Sequence, residues 1–480
     1  MWYESLKEKE LWKNFAAISA IPRESGNEEG IRKFLLSWAK ERGIKTDTDE
    51  IGNVFYYIPA TEGMEDIPTV CLQGHIDMVC VKTRDSKHDF TKDPIEIVFD
   101  GKYVRAKDTS LGADNGIAVA MAMTIISDEN AKHGPIECLF TVSEETGMDG
   151  AFGFDASKLS ARKLVNIDSE EEGIIYTGCA GGIEVDTKKR ATRGNVFDNA
   201  AFFTLSVFGL LGGHSGGEIH KGRLNAIKAI ARIMHRAPEF MITALNGGTK
   251  RNVIPSEATI SFCVRREEAE TLVSVVEQAE KELKREYSIT DPGLEITLTR
   301  EKKGPKEAVK TKCSHSVIEA IYLTPCNVQS MSAAISGVVE TSNNVAIVTL
   351  DEKEFTIISS CRSLVESSKL ETAYQVAAAA EAFGFKIEIK GSYPGWAPDP
   401  SSKLEKALED AYKEYYNSDP IVTCIHAGLE CGIINAKVEG MDSVSIGPNL
   451  FDVHSTNEKL DAESAERTLG FIKYFLEKIR

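Results

Sequence analysis

Apolar positions along the first third of the chain recur alternately at helical and at strand spacing. Residues 27–42 place Ile31, Phe34, Leu35 and Trp38 on one helical face, and Gly43 ends it. Residues 53–58 then predict a strand. Residues 67–72, bounded by turn residues, predict a buried strand that leads into Gly74-His75-Ile76-Asp77. The apolar run 117–126 predicts a helix, and residues 136–142 and 163–167 predict two further strands. Helix and strand in alternation predict an α/β catalytic core: a mixed, mostly parallel sheet flanked by helices.

After residues 177–182 the pattern changes. A strand is expected at 202–208, then a glycine-rich turn around His214, then a helix over 225–234. An internal repeat follows. Asn252-Val253-Ile254 reads as a strand and leads through a turn to a second strand over 258–265 that ends in Arg265, then to a helix from Glu267. Residues 344–348 lead likewise to a strand over 355–362 that ends in Arg362, then to a helix over 369–383. Each unit is followed by one more strand, at 294–298 and at 386–390. The repeat predicts an inserted, two-lobed α+β module, which the resemblance given below makes a lid. Residues 391–398, rich in Pro and Gly, read as the return crossing. A helix at 404–416, strands at 421–425 and 443–447, and an amphipathic helix bearing Leu469, Ile472, Phe475 and Ile479 complete the chain. The expected organisation is 1–186 for the first part of the catalytic domain, 187–390 for the lid and 391–480 for the second part.

Polar residues gather where apolar strands end. His75 and Asp77 follow one strand, Glu144 and Glu145 another, and Asp168 a third; Asp114 precedes a helix between glycines, and His454 lies in a late loop. In open α/β sheets, ligands bind at the carboxyl ends of strands. Imidazole with carboxylate suits zinc, with manganese or cobalt as alternatives. The set His75, Asp114, Glu145, Asp168 and His454 is large enough for two metals, with Asp114 between them. Such a pair holds water as hydroxide and polarises a carbonyl. Glu144 is then the expected general base, and Asp77 would orient His75 through its second ring nitrogen.

The net charge of −17 argues against nucleic acid and anionic membrane surfaces as partners. Cysteines such as Cys71, Cys138, Cys263 and Cys361 are scattered through apolar runs without a C-x-x-C pair, which suggests buried thiols in a reducing compartment. The first residues are charged where a signal peptide would be apolar, and no run is long enough to span a bilayer. The expected location is the cytoplasm.

The motif blocks Gly74-His75-Ile76-Asp77, Gly112-Ala113-Asp114-Asn115-Gly116, Ser143-Glu144-Glu145-Thr146-Gly147, Asn166-Ile167-Asp168-Ser169 and Val453-His454 resemble, in order, those of the co-catalytic di-zinc peptidases and deacylases that include carnosinase. The runs that begin at Gly112, Asp168 and His426 look most like the branch that cleaves Xaa-His dipeptides. The resemblance implies a zinc-peptidase fold, two zinc ions, a small peptide substrate and a cis peptide bond between Asp114 and Asn115. It further implies a lid His, His214, at the oxyanion, with Asn252 and Arg362 at the substrate carboxylate; the repeat leaves Arg265 as the alternative to Arg362. Gly428 and Glu430 are the expected pocket residues, with Glu430 meeting the substrate amino group. The assembly is a monomer or a homodimer. Two other readings remain: a deacylase or carboxypeptidase acting on N-acyl amino acids, and a noncatalytic binding protein that keeps the fold.

Overall fold

The structure, a computed structural model, describes residues 1–480. The chain divides into two compact units. The first comprises Met1–Gly178, Pro398–Cys424 and Leu429–Arg480, and the second Cys179–Ala397 and Ile425–Gly428. The second unit thus begins before residue 187 and runs beyond residue 390, because Gly181–Arg190 pairs with Glu354–Ser363 and with Lys386–Tyr393 inside its sheet, and it also takes in residues 425–428.

The first unit is built on an eight-stranded sheet. From one edge its strands are Lys45–Thr48, Val54–Ile58, Ile136–Thr141, Val70–His75, Lys163–Asn166, Asp442–Ser445, Ile174–Cys179 and Ile421–Ile425. The four from Ile136–Thr141 to Asp442–Ser445 run parallel. Val54–Ile58 and Ile174–Cys179 flank them antiparallel, so the sheet is mixed. Every residue of Val70–His75 and of Ile136–Thr141 is buried, as strands covered on both faces must be. The helix Ala113–Ser127 is apolar nearly all round and buried along its length. Against it packs Lys9–Ser19, a helix outside the predicted elements although Leu11, Trp12, Phe15 and Ile18 recur at helical spacing and are buried. Each such side chain contributes roughly 1.5–3 kcal/mol on burial. The closing helix Ala462–Lys478 buries Leu469, Ile472 and Phe475 as its pattern predicts.

Parallel strands bring their carboxyl ends to one edge of the sheet. The segments after His75, Thr141 and Asn166 therefore emerge side by side. A separate four-stranded sheet includes the hairpin Leu450–Phe451 and Lys459–Asp461, whose loop carries His454.

The second unit is a nine-stranded sheet made of two like halves. One half runs Glu295–Glu301, Ala200–Phe208, Ala258–Arg265, Phe240–Gly247. The other continues with Val339–Leu350, Glu354–Ser363, Gly181–Arg190, Lys386–Tyr393, and Asn327–Met331 pairs beside Val339–Leu350. All neighbours within each half are antiparallel. The halves join where Asn246 faces Thr349 and Gly247 faces Val348. The expected repeat holds, with one correction. Asn252-Val253-Ile254 is not a strand; the counterpart of Val339–Leu350 is Phe240–Gly247. At Gly248 the backbone turns left-handed, with φ +69°, and Pro255 has no N–H to offer a ladder. Residues 248–257 therefore form a loop, in which Val253 makes a single bridge to His214.

Candidate metal centre

Asp114 lies at the middle of the acidic and imidazole side chains of the first unit. Its Oδ1 is 3.0 Å from His75 Nε2, and its Oδ2 is 3.1 Å from His454 Nε2. His75 Nε2 also lies 3.6 Å from Asp168 Oδ1, and His454 Nε2 lies 2.9 Å from Glu145 Oε2. Two clusters thus share one carboxylate: His75, Asp114 and Asp168 on one side, and Asp114, Glu145 and His454 on the other. All five sequence-predicted ligands come together.

Local structure explains the convergence. Asp114 and Asn115 interrupt the helical dihedrals at the start of Ala113–Ser127, and the peptide bond between them is cis. Asn115 then reaches sideways. Its Nδ2 donates to the Ile167 carbonyl at 2.7 Å and its Oδ1 accepts from the His75 amide at 3.3 Å, which ties three ligand segments together. His454 sits in the loop of its hairpin with φ +58°.

The donor set fits divalent metal. Carboxylates outnumber imidazoles in both clusters, and imidazole with carboxylate oxygen suits zinc, manganese or cobalt. Glu145 Oε1 is buried without a hydrogen-bond partner, an oxygen that a cation would satisfy.

Asp77 and Glu144 lie beside the ligands. Asp77 Oδ1 is 3.4 Å from His75 Nδ1, and the carboxylate accepts from Ser25 Oγ at 2.7 Å and from the Glu144 amide at 3.0 Å. Burial alone would raise this carboxyl; the bonds from His75, Ser25 and the amide hold it down at about 2. Asp77 is therefore a fixed anion behind His75. Glu144 belongs to a third group, with His75 and Glu145. Burial pushes its carboxyl up to about 8, and Glu430, Glu145 and Asp114 reinforce the rise against the pull of His75. Ser25 and Asn115 were not among the predicted site residues. Ser25 acts through one hydrogen bond to a carboxylate and Asn115 through two to backbone groups, which leaves no spacing pattern in a sequence.

The predicted pocket residues fall into different settings. Glu430, at the start of the helix Glu430–Lys437, is fully buried and accepts from Gln73 Nε2 at 2.6 Å and Thr141 Oγ1 at 2.7 Å. Both of those bonds fall on Oε2, and its Oε1 is buried without a hydrogen-bond partner. Burial raises it to about 7. Gly428 belongs to the short segment Ile425–Gly428 of the second unit.

Within that second unit, His214 Nδ1 accepts from the amides of Gly217 at 3.0 Å and Gly216 at 3.3 Å. The ring proton therefore sits on Nε2. Burial and the Arg362 charge lower its pKa, so the ring is a neutral donor. Arg362 is 9% exposed; its Nη1 donates to Tyr393 Oη at 2.9 Å, and its Nε is buried without a partner. Arg265, by contrast, pairs with Glu239 at 2.7 Å and lies over the Phe197 ring at 4.4 Å. Asn252 is exposed, and its carbonyl accepts from the Ser215 amide at 2.8 Å.

Comparison with known proteins places this arrangement. Residues 205–291 match the peptidase dimerisation domain. The chain is 41% identical over 477 residues to a cytosol non-specific dipeptidase of Escherichia coli, across 99% of this chain and 98% of that protein. It superimposes on the crystal structure of an aminoacylhistidine dipeptidase from Vibrio alginolyticus with a TM-score of 0.94 and 37% identity, covering 99% and 98% of the two chains. An aminopeptidase from Bacillus cereus shares the fold at 16% identity, with a TM-score of 0.59 and 99% of both chains covered. With two overlapping metal-ligand clusters at the strand ends and full-length kinship at this identity, the chain belongs to the M20 family of metallopeptidases.

Proposed function

We propose that this protein hydrolyses dipeptides, with Xaa-His dipeptides among its substrates, using two divalent metals and Glu144 as general base. One observation carries the reading: Asp114 divides its two carboxylate oxygens between two imidazole-bearing clusters, with Glu144 beside them. The relatives from Escherichia coli and Vibrio alginolyticus, named as dipeptidases, support the substrate class. Zinc is the metal we assign, from the imidazole and carboxylate donors.

Metals held by these ligands would activate water and polarise the scissile carbonyl. The residues of the chain do the rest. Bound cations would favour the ionised form of the Glu144 carboxyl, and as a carboxylate it takes a proton from the attacking water and returns it to the leaving amine. Asp77 holds the His75 ring. His214, with its proton on Nε2, donates to the developing oxyanion. Arg362 and Asn252 hold the substrate carboxylate; a half-satisfied guanidinium suits that anion, whereas Arg265 is already paired. The strand Phe240–Gly247 of the matched dimerisation domain is paired within the chain to Val339–Leu350, and the match to that domain supports a homodimer. A cytoplasmic location agrees with the buried thiols Cys71, Cys138, Cys263 and Cys361, and no helix is long and apolar enough to cross a membrane.

Glu144→Gln tests the assignment. It keeps the shape but cannot take a proton. Bound metal stays near the wild-type amount, while kcat/KM on a Xaa-His dipeptide falls roughly a hundredfold or more. Activity within about threefold of wild type would place the base elsewhere. A panel of dipeptides, tripeptides and N-acyl amino acids separates the dipeptidase from a deacylase, and a folded, metal-loaded protein inert on the whole panel would be a binding protein.

A further inference from the structure

Apart from the ligands themselves, one buried cation and one buried anion hold the loops that carry them. Arg23 is 1% exposed. Its Nη1 donates to the carbonyls of Ile76 at 3.1 Å and Asp77 at 2.8 Å, and its Nη2 donates to the carbonyl of Gly112. Its own carbonyl accepts from the Met78 amide at 3.1 Å. A single residue therefore grips the loop after His75 and ties it to the loop before Asp114. Glu458 is 3% exposed and grips the second loop from its other side. Its Oε2 accepts from the amides of Leu111 at 2.7 Å and Gly112 at 3.0 Å, and its Oε1 from those of Ala113 at 2.8 Å and Asp114 at 3.4 Å. Gly112 is thus held at its N–H by the carboxylate and at its C=O by the guanidinium.

The glycines of Gly112-Ala113-Asp114-Asn115-Gly116 have a reason in this arrangement. A Cβ at Gly112 or at Gly116 would meet Arg23 Nη2 at 2.5 or 2.6 Å. The motif leaves room for the guanidinium on both sides of Asp114. Neither buried charge is tolerable alone; each is compensated by the other and by the backbone groups it binds.

We propose that Arg23 and Glu458 are positioning residues of the metal centre. They fix the separation of His75 from Asp114 and so set how tightly the cluster of His75, Asp114 and Asp168 binds a divalent cation. Neither touches a ligand atom, so they act through the two loops.

The test uses full-length Arg23→Lys, Glu458→Gln and Gly116→Ala proteins, stripped of metal with a chelator. Zinc is titrated calorimetrically, and thermal unfolding of the metal-free proteins is followed alongside. Arg23→Lys and Glu458→Gln are expected to bind zinc roughly ten- to hundredfold more weakly. Excess zinc should restore kcat, while the zinc concentration for half-maximal activity rises. A merely structural role would lower the metal-free Tm and leave the zinc affinity of the folded protein unchanged. Folded variants that bind zinc within about threefold of wild type would overturn the proposal. Should Arg23→Lys not fold, Glu458→Gln makes the same test with the shape preserved. Should neither fold, Gly116→Ala, which pushes the guanidinium aside, decides it: unchanged zinc affinity there is a refutation. Because zinc binding is read directly, the outcome does not depend on which peptide is cleaved.

Discussion

The two halves of the nine-stranded sheet have the same strand order and the same antiparallel pairing, yet they surround equivalent residues differently. Their equivalent arginines make the point. Arg265 stands opposite Ala200 across its strand pair, and Arg362 stands opposite Gly182 across the corresponding pair. A Cβ at Gly182 would strike the Tyr393 ring, so glycine there admits the tyrosine that binds Arg362. In the first half Ala200 stands in that place, and Arg265 pairs with Glu239 instead. The first half carries His214 and Asn252 on loops that the second half lacks. The strand equivalent to Ala200–Phe208 is Gly181–Arg190, and the chain leaves it to build the whole first half before returning at the helix Thr311–Leu323. Under the proposed assignment, a repeated scaffold carries a divided site: a neutral imidazole from one half and a buried guanidinium from the other, whose charge depresses the pKa of His214.

The division can be broken from either side. The largest effect expected is at His214. Removing an oxyanion donor costs about 10²–10³ in kcat, so His214→Ala should lower kcat by that range and leave KM for the dipeptide little changed. A rise in KM at unchanged kcat would make His214 a substrate binder and dissolve the contrast with Arg362. The junction tests scaffold against chemistry. Gly248 has φ +69°, and a Cβ there would collide with the Ala346 carbonyl. Left-handed backbone alone costs a non-glycine residue roughly 1–2 kcal/mol. Gly248→Ala should lower unfolding stability by at least that much, measured in denaturant, while substrate preference stays as in wild type. The smallest effect is at Tyr393. Tyr393→Phe removes one acceptor from Arg362, and a net hydrogen bond to a charged group is worth roughly 1.5–3 kcal/mol. If part of that loss reaches the bound substrate, KM for free-carboxylate dipeptides rises several-fold; an unchanged KM would mean that Tyr393 does not hold the guanidinium in its working position.

Much of this was legible in the chain itself. Apolar runs ending in His75, Glu144 and Asp168 reveal a parallel sheet with its ligands at one edge, because a buried strand has to be apolar and a polar residue at its end has to be accounted for. Asp114 between glycines and the late His454 complete the set. Other features leave no such trace. Arg23 works through backbone carbonyls, and any segment has those. Glu430 reads as a pocket residue, and nothing in its spacing shows that the fold buries it against Gln73 and Thr141. Asn252-Val253-Ile254 has the look of a strand until the left-handed turn at Gly248 is known. Arg265 and Arg362 end the same local pattern, and only their neighbours across the sheet tell them apart.

The most direct measurement compares kcat/KM for a Xaa-His dipeptide and for its C-terminal amide in wild type, Arg362→Ala and Arg265→Ala. A buried charge-assisted pair lost on one side costs roughly 2–5 kcal/mol, so Arg362→Ala should lose about thirtyfold or more on the free carboxylate and far less on the amide. Arg265→Ala should leave both substrates within about twofold of wild type. Equal losses on the two substrates at Arg362, or a carboxylate-specific loss at Arg265, would contradict the division of the site between the two halves.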